Sequence, residues 1–452
     1  MAPKENEYMN PEKAKLIVSD VSVASSTPSS DKYVSFAQDY RNANANSIGL
    51  IRNKLAVIGM DSRGMLRERR KCQFWSLVCF ILICVLIHRI RYPSRPSGPY
   101  KLVQVQTGDD FFDFYDFYNG PDSIGSAGHQ DYVGPIKDAK QKGLANVTEE
   151  EGTKYIYLNS NPTYEGKREA LRLEGKKRFN RGLFIADIKH LPVGCGVWPA
   201  FWLTDDDNWP ENGEVDIIEA MNYQTRARAT LHTSEGCTMW GNVVPNSHTG
   251  EWDRAECIPD LYTGVPDCKT SKEADDCWSE APHQWYNQGC AISDLRENTI
   301  GQPFNAGGGG VYALEWDPYN QYIRAWVFAP HESVPGNLAE SLRTANAEEA
   351  EPISPNPEEW GAPFAYFAIG EKSACSESHF KNMRIIFNTA FCGSAAGNRF
   401  FADCPADITQ SFNINSDPVL SCNAYVESNP AEMAEAYWKI NGVYVYERQL
   451  VR

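Results

Sequence analysis

Hydrophobic positions divide the chain into a polar N-terminal stretch, one uncharged apolar run and a long region of short alternating segments. Residues 1–71 are rich in Ser, Asn, Lys and Ala and show no apolar periodicity, so we predict a disordered tail there. Residues 74–87 carry no charge and lie between arginines. Residues 92–106 begin with YPSRPSG, which is typical of a linker. These patterns predict a tail, an apolar helix at 72–91, a linker and a large domain at 107–452.

The uncharged run is 14 residues long, shorter than the roughly 20 residues that cross a bilayer as a helix. Polar neighbours can extend the helix on both sides, and arginines at its ends can reach the lipid headgroups. The alternatives are a buried core helix and the apolar part of a cleaved signal peptide. A signal peptide would begin near the N-terminus and precede a small-residue cleavage site, and this run does neither. We therefore expect residues 72–91 to form a transmembrane signal anchor.

Cysteine placement suggests which side of the membrane the large domain occupies. Ten of the 13 cysteines follow the apolar run and none lies in residues 1–71, which suits disulfides in an oxidising compartment. The flanking basic residues, five upstream against four downstream, weakly favour a cytoplasmic N-terminus. The sequon Asn146-Val147-Thr148 lies on the same side as the ten cysteines and is a candidate N-glycan site. We expect a single-pass type II protein with its large domain lumenal or extracellular.

From about residue 100 onward the chain alternates short β-type runs with turn residues, and no long helical pattern occurs. This predicts an all-β sandwich. Short helices are expected near 136–143 and 338–344. Residues 250–290 contain four cysteines among polar residues and suggest a stapled surface loop. The predicted strands are 154–158, 183–188, 214–219, 228–232, 310–316, 322–328, 383–387 and 443–446.

The amino-acid composition limits the classes of molecule that the protein is expected to bind. The formal net charge of -16 argues against nucleic acid, because phosphate binding requires a basic face. The 12 Trp and 22 Tyr residues are suited to gripping the apolar face of a sugar ring, although a core also uses aromatic residues.

Three carboxylates within six residues are the candidate catalytic groups. Glu214 and Asp216 lie two apart in a β-type run, so their side chains share one face. Glu219 has an odd offset from Glu214, and one extra residue, a β-bulge within 215–218, would return it to that face. A solvated acidic strand edge is the plain alternative, and the neighbouring tryptophans argue against it. A metal site is not expected, because no His interleaves with the acids at ligand spacing.

Several long motifs occur in a fixed order along residues 107–447. They include FNRGLFIADIKHLPVGCGVWPAFWL (179–203), NWPENGEVDIIEAMN (208–222), TLHTSEGC (230–237), GGGGVYALEW (307–316) and AYWKINGVYVY (436–446). In these motifs the chain resembles the family-16 glycoside hydrolases, most closely the fungal-type laminarinases, which are endo-1,3(4)-β-glucanases. The resemblance implies a concanavalin-like β-jelly-roll sandwich whose concave face holds a glucan chain.

The resemblance also implies roles for individual residues. Glu214 would be the nucleophile, Glu219 the acid/base and Asp216 the residue that tunes the nucleophile. The longer spacing between the two glutamates is that of laminarinases rather than lichenases. The resemblance further implies a set of substrate-binding residues, with no metal and no cofactor. That set is Trp202, Trp209, His232, Trp360 and Arg172.

The expected reaction is retaining hydrolysis of internal bonds in β-1,3- or mixed β-1,3(4)-glucan by double displacement. The membrane anchor is a departure from secreted family members and resembles membrane-tethered members that remodel cell-wall glucan. A transglycosylase that passes the glucan to a sugar acceptor is therefore the main alternative. A glucan-binding protein without chemistry fits less well, because both glutamates are present.

Overall fold

The computed structural model divides the chain into two units, Met1–Pro93 and Ser94–Arg452. The residues that the structure describes are 62–91, 98–122, 126–162, 166–239, 247–255, 273–282, 284–347, 351–371 and 373–449.

In the first unit, helix α1 spans Ser62–Arg91. It begins ten residues before the predicted boundary between tail and helix, so residues 62–71 of the predicted tail are helical. The rest of that tail, 1–61, lies outside the described residues. Large apolar side chains of α1 are more than half exposed: Phe74, Trp75, Leu77, Phe80, Ile81, Leu82 and Ile83. Within the described part of the chain, no helix is both long enough and apolar enough to cross a membrane.

In the second unit most described elements are strands. They are β1 (Tyr100–Thr107), β2 (Tyr115–Phe117), β3 (Gly120–Pro121), β4 (Gln130–Tyr132), β5 (Ala145–Glu150), β6 (Thr153–Leu158), β7 (Asn161–Pro162), β8 (Arg168–Ala170), β9 (Arg172–Phe179), β10 (Gly182–His190), β11 (Val197–Thr204), β12 (Glu214–Glu219), β13 (Arg228–His232), β14 (Cys237–Thr238), β15 (Glu251–Trp252), β16 (Cys290–Ser293), β17 (Gly310–Asp317), β18 (Tyr322–Phe328), β19 (Ala365–Ala368), β20 (Ala374–Cys375), β21 (Met383–Phe391) and β22 (Trp438–Arg448).

The described α-helices of this unit are short. They are α2 (Ile136–Gln141), α3 (Gly301–Ala306), α4 (Gly336–Ala345), α5 (Phe400–Asp403), α6 (Ala406–Ser411) and α7 (Pro418–Ser428). The two that were expected, near 136–143 and 338–344, correspond to α2 and α4.

Two eight-stranded sheets dominate the second unit within the described residues. The first has the order β19-β18-β17-β10-β22-β6-β5, with β1 also paired to β22. The second, here called the cleft sheet, has the order β15-β16-β13-β12-β11-β21-β9-β2. Adjacent strands in both sheets are antiparallel. Where two paired strands are not consecutive in the sequence, the chain crosses over between them. The predicted β-sandwich is confirmed.

The main core lies between these sheets. Phe387 of the cleft sheet packs edge to face against Trp438 of the first sheet, with ring centroids 5.3 Å apart. In β10, Phe184 faces this core, while Leu183 and Ile185 face a second cluster on the outer side of the first sheet. Helix α4 covers that outer side with Leu338. Because β10 is buried on both faces, its residues 183–186 are a continuous apolar run rather than an alternating one.

The predicted linker at 92–106 is wrong in its second half. Residues 100–107 form β1, which pairs with β22 from Tyr100 opposite Arg448 to Thr107 opposite Gly442. Tyr100 is buried in the outer cluster, and its hydroxyl donates to the buried Glu315. Residues 92–97 lie outside the described part. The domain therefore begins with a sheet strand. The apolar and aromatic side chains of this segment make their contacts only in the folded sandwich.

Disulfides connect segments that are distant in the sequence. Cys195–Cys404 and Cys392–Cys422 hold the C-terminal helices against the end of the sandwich, and Cys237–Cys375 joins β14 to β20. Cys277–Cys290 staples the predicted loop at 250–290. Cys257 and Cys268 lie outside the described residues. Eight of the ten downstream cysteines are thus paired, as expected for an oxidising compartment.

Candidate active site

A β-bulge in β12 brings the three predicted acids to one face of the cleft sheet. Opposite β11, Phe201 pairs with Ile218 and Trp202 pairs with Asp216, so Ile217 is the extra residue. Ile217 and Ile218 are both buried in the core between the sheets. Two consecutive side chains that point inward reset the alternation, and Glu219 returns to the face of the other acids. The predicted bulge is confirmed.

All three acids line one cleft of about 680 Å³ on the cleft sheet. Indole groups fix two of them, since Trp209 Nε1 donates to Glu214 Oε2 at 2.7 Å and Trp198 Nε1 donates to Glu219 Oε1 at 3.0 Å. Asp216 is buried between them. The two glutamates are therefore held in place before any substrate arrives, each by a neutral donor on a neighbouring segment.

Burial and mutual repulsion change the acidity of this cluster. Burial, reinforced by the charge of Asp216, raises the pKa of Glu214 from 4.5 to about 8. Burial also raises the pKa of Asp216. Acids whose pKa values are raised in this way are typical of catalytic sites, because one carboxyl can hold a proton beside an ionised neighbour.

His232 supplies a positive charge next to Glu214 and Asp216. It pairs with Glu214 across β12 and β13, and its Nε2 lies 3.3 Å from Asp216 Oδ2 and 3.9 Å from Glu214 Oε1. Burial alone would lower the pKa of His232, but the contact with Asp216 and the charge of Glu214 raise it to about 9. The predicted cleft histidine therefore acts as a buried counter-charge to the acids.

Two other predicted binding residues, Trp202 of β11 and Arg172 of β9, lie together. Trp202 donates from Nε1 to Asn388 Oδ1 at 2.7 Å and is largely buried. The Arg172 guanidinium lies 5.4 Å from the Trp202 ring and donates to Glu174 Oε1 at 2.9 Å. Both line the cleft. Arg172 is 2% exposed, so it supports the wall of the cleft and offers little surface to a ligand.

Trp360 is not a cleft wall, which corrects the sequence-based expectation. It lies in the outer cluster of the first sheet, on the side away from the cleft sheet. Its ring packs edge to face against Trp326 and Phe328, and its Nε1 donates to Asn337 Oδ1 at 2.6 Å. An aromatic residue in a loop carries no local signal for which side of a sandwich it will cover, so the sequence could not place it.

Several cleft residues were missed by the sequence analysis. Arg228 of β13 donates from Nη2 to Glu219 Oε2 at 2.7 Å, and its Nη1 lies 3.4 Å from Asp253 Oδ2. Trp285 and the 75% exposed Tyr286 line the same cleft beyond β13. The alternation of β13 could have indicated Arg228, because it has the same parity as His232 in that strand.

Two groups have side chains close enough to hold a metal ion among the described residues. Ligand atoms of Glu214, Asp216 and His232 lie within 4.8 Å of one another, as do those of Asp205, Asp206 and Asp207. Arg178 already pairs with all three aspartates, at 2.8 to 3.3 Å.

Comparisons with known proteins agree with this geometry. A family model described as "XgeA-like, catalytic GH16 domain" matches residues 115–446. A Schizosaccharomyces pombe protein named "Probable glycosidase" is 33% identical over 361 residues, which are 79% of this chain and 72% of that protein. An Aspergillus fumigatus "Probable endo-1,3(4)-beta-glucanase" is 34% identical over 367 residues, or 80% of this chain and 48% of that protein. The chain spans about half the length of the Aspergillus relatives it matches.

Solved structures also share the sandwich. One holds two β-glucans in the donor and acceptor sites of GH16 Laminarinase 16A from Phanerochaete chrysosporium. It is 29% identical, with a TM-score of 0.61, and the match covers 77% of this chain and all of that chain. Another is described as an elongating GH family 16 β-1,3-glucosyltransferase. It is 30% identical with a TM-score of 0.60 and the same coverage. The β-jelly-roll fold expected from the sequence is thereby confirmed.

Proposed function

The chain belongs to glycoside hydrolase family 16, and from that premise we propose that it hydrolyses internal bonds of β-1,3- or mixed β-1,3(4)-glucan with retention of configuration. The observation that carries the proposal is the bulged strand β12, which presents Glu214, Asp216 and Glu219 to one cleft. Two carboxyls that flank the scissile bond are the minimum for double displacement.

In the first step, Glu219 protonates the oxygen of the leaving sugar while Glu214 attacks the anomeric carbon. A covalent glycosyl–Glu214 ester forms and the glycosidic bond breaks. In the second step, Glu219 takes a proton from water, which displaces Glu214 and releases the sugar with its original configuration. Asp216 and His232 adjust the charge on Glu214 through their contacts with each other and with Glu214.

The substrate side of the proposal rests on the relatives and on the cleft walls. The similarity to endo-1,3(4)-β-glucanases and to a laminarinase structure that contains β-glucans supports a β-1,3-linked chain. Trp209 and Trp202 on one side of β12, with Trp285 and Tyr286 on the other, provide aromatic surface along the cleft. Sugar rings stack on such surface through their apolar faces.

The test is the activity of Glu214→Gln and Glu219→Gln variants on laminarin. We expect the Glu219→Gln variant to lose about 10²- to 10⁴-fold in kcat, the usual contribution of a general acid/base, and the Glu214→Gln variant to lose more. Glu211→Gln is a matched control, because Glu211 is exposed and lies three residues before β12. Activity of either cleft variant within about tenfold of wild type would contradict the assignment.

A second candidate reaction is transfer of the glycosyl group to a sugar instead of water. The solved elongating β-1,3-glucosyltransferase supports transfer as a candidate reaction, because it matches this chain as well as the laminarinase does. Both reactions use the same glycosyl–Glu214 ester and differ only in the acceptor. Product analysis at high laminari-oligosaccharide concentration separates them, because products longer than the substrate arise only by transfer.

We further propose that residues 72–91 anchor the protein in a membrane as a single-pass type II span, with the enzyme domain lumenal or extracellular. The uncharged run at 74–87 and the exposed apolar side chains of α1 support this. Positions 85–87 of the run lie outside the residues whose side chains are described. Asn146, half-buried on the edge strand β5, is the proposed N-glycan site.

A further inference from the structure

The backbone at Gly289 covers one edge of the His232 ring. His232 Nε2 faces Asp216 and Glu214, whereas its Nδ1 is buried and makes no hydrogen bond within the described structure. A methyl group on Gly289 would lie 2.8 Å from this Nδ1 and 3.0 Å from Cε1 of the same ring. Such a contact is too short to persist, so one partner would have to move. The lack of a side chain at Gly289 is therefore what lets the backbone approach the imidazole.

The backbone of Gly289 itself also requires glycine. Its φ is +65°, in the left-handed region that other residues rarely adopt. A methyl group there would lie 2.3 Å from the carbonyl oxygen of Leu231 in β13. The next residue, Cys290, is the first of β16 and pairs with Leu231. A side chain at Gly289 would therefore push this segment away from β13 directly beside His232.

The loop that ends at Gly289 is fastened to both chain neighbours of His232. This loop is closed by the Cys277–Cys290 disulfide and is here called the cystine loop. At one end, Cys290 pairs with Leu231 in the cleft sheet. At the other end, the carbonyl of Cys277 accepts a hydrogen bond from the Thr233 N–H at 2.7 Å. The two ends of the cystine loop thus hold the residues immediately before and after His232.

A buried amide fixes Gly289 within the cystine loop. The Nε2 of Gln284 donates to the Gly289 carbonyl at 2.7 Å and to the Asp276 carbonyl at 2.8 Å. Its Oε1 accepts from the Asp276 N–H at 2.9 Å. Gln284 is 5% exposed, and its amide oxygen and nitrogen are both hydrogen-bonded. A buried polar group that is satisfied in this way specifies one conformation, so Gln284 sets where the Gly289 carbonyl lies.

We propose that Gly289 and Gln284 are positioning residues that hold His232 against Asp216 and Glu214. Gly289 acts by leaving room for the imidazole, and Gln284 acts by fixing the Gly289 carbonyl. This rests on the proposed function, in which His232 and Asp216 adjust the charge on the nucleophile Glu214. Packing of the cystine loop then keeps the buried counter-charge in place before any substrate arrives.

The test is the pKa of His232 in the ligand-free protein. It is measured by NMR on the whole chain labelled at histidine Cε1, and the His232 signal is the one lost in His232→Asn. The charges of Asp216, Glu214 and Glu219 raise this pKa to about 9. In Gly289→Ala, either the ring turns away from these carboxylates or the loop opens and admits water. Both weaken the charge interactions, so the pKa should fall by about one unit or more towards 6.5.

Gln284→Ala keeps the test decisive if Gly289→Ala does not fold. It removes the hydrogen bonds that fix the Gly289 carbonyl but leaves the glycine and the disulfide in place. The pKa of His232 should therefore fall in the same direction, by less than in Gly289→Ala. A lower thermal midpoint with an unchanged His232 pKa in the variants that fold would mean a structural role only, and would overturn the proposal.

Gly152→Ala is the matched control. Gly152 has a φ of +80°, and a methyl group there meets no described atom beyond its chain neighbours within 4 Å. This variant introduces similar backbone strain far from the cleft sheet, in the turn between β5 and β6, and should leave the His232 pKa unchanged. An equal shift in Gly152→Ala would also overturn the proposal. The NMR measurement needs no substrate, so activity of Glu214→Gln on laminarin would contradict the proposed function separately.

Discussion

At the scale of single residues, the candidate active site is a set of buried ionisable side chains, and burial disfavours their charged forms. Glu214 and Asp216 lie in a mostly water-excluded pocket and repel each other, and His232 is the buried cation that offsets them. The sequence identified these three residues because Glu214 and Asp216 lie in the motif at 208–222 and His232 lies in the motif at 230–237. It missed Arg228, although the alternation of β13 places this arginine on the same face as His232, because the sequence does not show that Glu219 lies beside it.

The buried charges predict how stability depends on pH. Folding raises the pKa of Glu214 from 4.5 to about 8 and that of His232 from 6.5 to about 9, so the folded state binds more protons than the unfolded chain in these ranges. Stability contributed by either group is full below its unfolded pKa and is lost as the pH rises through its folded pKa. The free energy of unfolding should therefore fall between about pH 5 and pH 9.

Glu214→Gln isolates one part of this dependence. Between pH 5 and pH 8 the free energy of unfolding of wild type should fall by at least about 1 kcal/mol more than that of the variant, since one unit of pKa shift corresponds to about 1.4 kcal/mol. Urea unfolding at a series of pH values measures it. Parallel curves for the two proteins would show that Glu214 is not an ionisable buried group with a raised pKa.

At the scale of elements, the sequence placed most strands well. The predicted segments 214–219, 228–232 and 322–328 coincide with β12, β13 and β18. Helix α7 was missed, because its apolar residues follow no helical period. It is held instead by the Cys392–Cys422 disulfide and by the burial of Tyr425 and Val426 at the end of the sandwich. Contacts between segments that are distant in the sequence, and not the local sequence pattern, stabilise this helix.

The bulge in β12 predicts an unusual pair of stability effects. In a regular strand, Ile217 and Ile218 would face opposite sides, and replacing the one in the cleft would change stability little. Because both face the core, Ile217→Ala and Ile218→Ala should each lower the free energy of unfolding by about 2–5 kcal/mol. Chemical denaturation of the two variants measures this. A loss below about 1 kcal/mol for either one would argue against the bulge.

At the scale of the whole molecule, contacts between residues that are distant in the sequence determine where a segment lies in the fold, and local sequence patterns do not predict this position. Residues 100–106 were predicted to be part of a linker, but they pair with β22. Trp360 was predicted to line the cleft, but it is buried in the outer cluster. The jelly roll and the position of its cleft, by contrast, followed from the resemblance, because its motifs cover nearly all of the sandwich. The N-terminal region contributes helix α1, whose middle part carries exposed apolar side chains.

The proposed anchor predicts how the full chain behaves in membranes. In sealed microsomes the domain at 107–452 should resist added protease until detergent is supplied, and Asn146→Gln should abolish a glycosidase-sensitive gel shift. Replacing both Ile81 and Ile83 with Arg should release the protein from the membrane fraction, because charges at the centre of a span cost several kcal/mol in total. Digestion of the domain in intact vesicles would contradict the type II orientation.

The central claim is that Glu214 forms a covalent bond to the sugar and Glu219 handles the proton. The most direct measurement is the mass of the Glu219→Gln variant after incubation with a β-laminaribioside carrying a good leaving group that needs no acid. The account predicts a glycosyl adduct that accumulates, because no base activates water, and peptide mapping should place it on Glu214. An adduct on another residue, or turnover without any adduct accompanied by inversion of the anomeric carbon, would contradict the account.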